Sequence, residues 1–183
     1  MRQIGQPGEV ADALFQLALE ISVHGEYTRG QVLFEEALML YRKAGNELRA
    51  GATLVESAWW LFLSTLGDAA TIRQRLQQGQ ALITKVGDTF WSALSSVAAT
   101  EVALSEGETA RAFSLIKESL AIFREMDSRW YLALTLHNLG RVEAQQGELT
   151  AARSSYQESL ALCRQLGEKW IIPFNLGSSR SPA

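Results

Sequence analysis

The chain has 183 residues, 47% hydrophobic and 20% charged, with 17 Lys and Arg against 20 Asp and Glu for a formal charge of −3. This is the balance of an ordered protein able to bury a sizeable core. Its weak acidity argues against direct nucleic-acid binding and against a polybasic membrane patch. The single cysteine, Cys163, rules out an internal disulfide and any multi-cysteine metal site.

Taken from the start, "MRQIGQPGEVADA" is too mixed in character for a secretory signal. The most apolar run, Ala58–Leu66, is about half as long as a membrane helix needs. A cytoplasmic protein of bacterial type is the expectation. From about residue 9 the chain repeats itself. "GEYTRGQVLFEEALMLYRKAG" (25–45), "GDAATIRQRLQQGQALITKVG" (67–87), "GETARAFSLIKESLAIFREMD" (107–127) and "GELTAARSSYQESLALCRQLG" (147–167) align without gaps. Their leading glycines stand 42, 40 and 40 residues apart. Each interval holds two segments of helical rhythm. In the last, Ala152, Tyr156, Ser159, Leu160 and Cys163 recur at three- and four-residue steps, one face of a helix. The predicted hairpins are 9–45, 46–87, 88–127 and 128–167, followed by a partial fifth at 168–175 and a flexible tail at 176–183. Together they are expected to form one array over 1–175.

Breakers divide these segments. Gly25, Gly67, Gly107 and Gly147 fall inside the hairpins, and Gly45, Gly87, Asp127 and Gly167 fall between them. Glycine suits the left-handed residue that closes a helix, because no Cβ clashes there. Small residues then mark where paired helices press together. Gly140 on a first helix, and Gly30, Ala37, Ala112, Ser119, Ala152 and Ser159 on second helices, are predicted notches. Phe34, Leu76, Ile116 and Tyr156 are the bulky residues between them. The second hairpin departs from this, with Ile72 and Gly79 at the notch positions and a first helix two residues longer. The local register around Trp59 and Trp60 is therefore the least predictable.

This grammar of small residue, turn glycine, alanine, aromatic and small residue again resembles the tetratricopeptide repeat. The 40-residue period is similar to the long repeats of kinesin light chains and of the C-terminal arrays in MalT-like bacterial regulators. The repeated phrase at Glu118–Arg124 and Glu158–Arg164 is most like the latter. The resemblance implies an all-α, tetratricopeptide-like superhelix, a solenoid of antiparallel hairpins whose first helices line a concave groove.

Counting from Gly140 places His137, Asn138, Arg141 and Gln145 on that face. Val97, Glu101 and Ser105 are contributed by the third hairpin, and Trp60, Leu61 and Ser64 by the second. In peptide-binding relatives the asparagine before the Leu-Gly pair bonds the ligand backbone, so Asn138 either does this or satisfies a neighbouring carbonyl. Arg141 either clamps a ligand carboxylate or pairs with Glu101. Trp91, Trp130 and Trp170 recur at first-helix starts, which favours packing between adjacent hairpins.

No spacing suggests a metal ligand set, a phosphate-binding loop or a nucleophile elbow, so neither enzyme nor cofactor is expected. The implied function is a scaffold for a peptide or protein partner, or alternatively the ligand-sensing module of a MalT-like signalling regulator. Trp170, Ile171, Ile172 and Phe174 would leave an open apolar end, so the expectation is either a chain that self-associates or a fragment of a longer array.

Overall fold

A computed structural model describes residues 7–167. Among these the chain is all-α: α1 (Pro7–Val23), α2 (Tyr27–Lys43), α3 (Glu47–Ser64), α4 (Ala69–Val86), α5 (Thr89–Ser105), α6 (Thr109–Glu125), α7 (Arg129–Gln145) and α8 (Leu149–Leu166). The expected partial fifth hairpin, with Trp170, Ile171, Ile172 and Phe174, lies outside the described residues, as does the 176–183 tail. Two compact units divide at Ala98 and Ala99, within α5. Each is a run of consecutive helices packed on their chain neighbours, in the manner of a helical-repeat solenoid.

In the first unit α2 packs on α1, α3 on α2 and α4 on α3. Phe15, Phe34, Leu38, Tyr41 and Leu54 fill its centre around Ala11, Ala18, Ala37 and Ala50. Trp91, at the start of α5, sits edge-on to Phe15 with ring centroids 6.4 Å apart, so this tryptophan does pack beyond its own hairpin. A polar knot ties three helices. Tyr41 Oη donates to Asp12 Oδ1 at 2.6 Å, and Arg49 Nη2 donates to the same oxygen at 2.9 Å. The Arg49 guanidinium lies 4.5 Å over the Phe15 ring and 5.2 Å from that of Tyr41. The bond from Tyr41, aided by Arg49, holds Asp12 below the usual carboxylate range, while burial and Asp12 push Tyr41 up to about 12.

Glycines and small residues set the close approaches. Gly25, Gly45, Gly87, Gly107, Gly147 and Gly167 all adopt positive φ, as does Asp127 at 48°. Gly67 departs from the expectation. The left-handed residue after α3 is Thr65 (φ 56°), which stands as far from the start of α3 as Gly107 does from the start of α5, and the extra residues of this hairpin follow it in the turn. Gly67 is instead required for space, since a Cβ there would stand 2.8 Å from Leu61 Cβ.

The predicted notch at Gly140 receives Tyr156, whose ring atoms would lie 2.8–3.0 Å from an added Cβ. In the second hairpin the notch is mutual. A Cβ on Gly79 would meet the Gly51 carbonyl oxygen at 2.8 Å, and one on Gly51 the Gly79 carbonyl oxygen at 2.9 Å. In α8, Ser159 is small enough to enter the interface and donates to the Ala133 carbonyl at 2.7 Å.

Candidate functional site

Second helices bury one face and wet the other, as amphipathic helices do. The inner first helices behave differently. Positions 50–55 of α3 and 133–140 of α7 are buried without a break. A helix enclosed on most sides carries its polar residues into the interior, and this decides where the expected site residues lie.

In the second unit, His137 is only 1% exposed and Asn138 only 2%. His137 faces the partner helix of its own hairpin, with its ring 5.5 Å from that of Tyr156. Both were expected on an open groove face, and both are interior. The Asn138 amide nitrogen has no hydrogen-bond partner, so the alternative of a satisfied neighbouring carbonyl does not describe that nitrogen.

Arg141, one turn further along α7, pairs with Glu101 of α5, its Nη1 reaching both carboxylate oxygens. These two residues stand 40 positions apart, so equivalent sites on successive first helices meet. The Glu101 side chain is 4% exposed and that of Arg141 27%. Burial lifts the Glu101 carboxyl above its ordinary range, with Arg141 opposing the rise. Gln145 and Ser105 are exposed at the ends of their helices, and Ser105 Oγ donates to the Val102 carbonyl at 2.7 Å. Tyr156 is pushed up chiefly by burial, with Arg141 opposing and Glu101 and Glu143 reinforcing. Glu143 accepts from Ser155 Oγ at 2.7 Å.

In the first unit, Trp60 is half-buried against the core cluster, with its ring 6.2 Å from that of Tyr27. Its neighbour Trp59 is half-buried as well. Leu61 is buried, and Ser64 Oγ bonds back to the Leu61 carbonyl. Val97 is fully buried. Trp130 packs with Ala133, Leu162 and Cys163 in the last described hairpin. Trp170 lies outside the described residues.

Sequence reasoning missed Glu56. It is half-buried, and desolvation raises its carboxyl from 4.5 to about 7, with Trp60 opposing. The signal was present, because Glu56 is the one charged residue between Ala50 and Leu63. Also unforeseen was a chain of bonds across three helices. Gln31 and Ser57 bond reciprocally, Arg75 donates to Ser57 Oγ, and Arg75 also pairs with Glu35.

Among the described residues, no group of three His, Cys, Asp or Glu is placed to hold a metal ion, and no helix is long and apolar enough to cross a membrane. No family model matches the chain, and no curated protein matches it. A solved structure does. BtubC (BKLC) from P. vanneervenii is similar with a TM-score of 0.68 and 15% identity, over 100% of this chain and 70% of that one. At that identity the likeness shows the fold alone, and the fold is a helical-repeat solenoid.

Proposed function

We propose that the chain is a non-catalytic scaffold whose tetratricopeptide-like hairpins bind a peptide or partner protein through the first helices of the second unit. The observation carrying this reading is the state of Arg141. Among the described residues it donates to Glu101 through Nη1 alone, and its Nε and Nη2 meet no acceptor there on a partly exposed side chain. A guanidinium fork offering spare donors beside exposed Gln145 and Ser105 suits peptide carbonyls or a carboxylate. Glu101 supports this surface by fixing Arg141. The 40-residue period favours a second reading, the sensing module of a larger regulator, in which the same surface takes a small ligand.

Selection of displayed peptides against the full chain tests the proposal. Selected peptides should lose at least about tenfold in affinity to an Arg141→Gln, Gln145→Ala variant of unchanged helicity, the loss expected for a charge-assisted bond plus a neutral one. Equal affinity for both proteins refutes it. Saturable binding of small metabolites, with no peptide selected, favours the sensing module instead.

A further inference from the structure

Among the described residues, three ion pairs built on a partly buried arginine follow one pattern. Glu101 has Arg141, Glu35 has Arg75 and Asp12 has Arg49. Glu56 breaks it. Among the described residues no cation lies within ion-pair reach of this half-buried carboxylate. Its polar neighbour is Trp60, one turn along the same face of α3, whose buried indole N–H finds no acceptor at hydrogen-bonding geometry. Against Trp60 lies Tyr27, at the start of α2, with the two rings inclined at 31°.

The knot at Asp12 shows how this chain completes such a set. There an acid and two aromatic rings, Phe15 and Tyr41, are closed by Arg49, which lies over the rings and donates to the carboxylate. Glu56, Trp60 and Tyr27 repeat the acid and the two rings without the arginine. A guanidinium is the cation suited to this set. It is planar, weakly hydrated, able to lie against an aromatic face and able to direct its N–H edge at a carboxylate. An ammonium group is more strongly hydrated and would give up more on entering.

We infer that Glu56, Trp60 and Tyr27 form a receptor for the arginine side chain of a protein partner. The inference rests on the scaffold reading only in taking the arginine's owner to be a protein, and it uses a different unit of the chain. Burial supports it: a carboxyl held near 7 gains most from an arriving cation, which restores the charged form.

The test uses full-length protein labelled with nitrogen-15 at its tryptophan indoles. Probes are a short blocked peptide with one arginine and the same peptides carrying citrulline (neutral and nearly isosteric) or lysine. The Trp60 indole resonance, assigned by Trp60→Phe, should shift saturably with the arginine peptide, about tenfold more weakly with lysine, and not at all with citrulline. Glu56→Gln should abolish the arginine response while keeping the helical spectrum. In the native protein, saturating arginine peptide should lower the Glu56 titration by about one pH unit or more. An equal response to citrulline, a response surviving Glu56→Gln, or no response overturns the inference. Binding of peptides selected for the Arg141 surface is read in the same samples, so either reading can fail alone.

Discussion

Replacing Gly140 by alanine separates two opposing effects whose sizes the structure sets. In a helix interior, glycine to alanine normally stabilises by about 0.5–1 kcal/mol, since alanine restricts the unfolded backbone. At Gly140 the new Cβ would stand 2.8 Å from Tyr156 Cε1, 2.9 Å from Cδ1 and 3.0 Å from Cζ. Three atoms of one rigid ring are met together, so the whole ring has to move away from α7. Overpacking of this kind costs about 1–3 kcal/mol. The net expectation is a loss of about 0.5–2 kcal/mol.

Tyr156→Ala removes the obstruction, and in that background the same substitution should stabilise by about 0.5–1 kcal/mol. A change of sign between backgrounds is therefore the signature, with a coupling energy of about 1–3 kcal/mol. Urea unfolding followed by far-ultraviolet circular dichroism measures all four proteins, provided the m-values agree. Gly8→Ala is the control, because a Cβ there meets nothing within 4 Å and should cost nothing. Stabilisation by Gly140→Ala in both backgrounds would refute the account of helix pairing given above.

Gly79→Ala drives a Cβ against the Gly51 carbonyl oxygen, which is backbone and cannot swing aside. Its cost should reach the upper end, about 3 kcal/mol, and its melting temperature should fall further than that of Gly140→Ala. Thr65→Gly should raise the melting temperature, by about 0.5–1 kcal/mol of stability, because a β-branched residue now holds a left-handed conformation. Arg141→Ala should leave Glu101 buried without its cation and destabilise at neutral pH by about 3 kcal/mol. A carboxyl raised in the fold opposes folding once charged, so stability falls as pH climbs from the unfolded carboxylate range through the folded value. Denaturation midpoints of Arg141→Ala should therefore recover on acidification, and Glu101→Gln in the same chain should erase that pH dependence.

Much of the fold was legible because its determinants are local. Turn glycines advertise positive φ, and Gly140 with Tyr156 advertises a notch and its occupant. Gly67 misled because Thr65, a residue with no reputation for left-handed backbone, took the turn. The mutual approach of Gly51 and Gly79 was only half visible, since Gly79 could be aligned with other notches but Gly51 had no counterpart.

The site was harder to read for one reason. Counting residues around a helix gives the direction of a side chain, not what lies in that direction. His137 points to Tyr156 and Asn138 into the interior because α7 is covered along 133–140. The pairing of Arg141 with Glu101 was accessible, because the two positions repeat at one period. Glu56 was overlooked because its chemistry comes from the absence of a nearby cation among the described residues, which only three dimensions reveal.

Cys163 has its thiol sealed against Ala133, Trp130 and Leu162, at 0% exposure. A maleimide or disulfide reagent can reach that sulfur only after the packing around it opens. The labelling rate is thus a built-in stopwatch for the opening of the packing around α8, and needs no engineered probe.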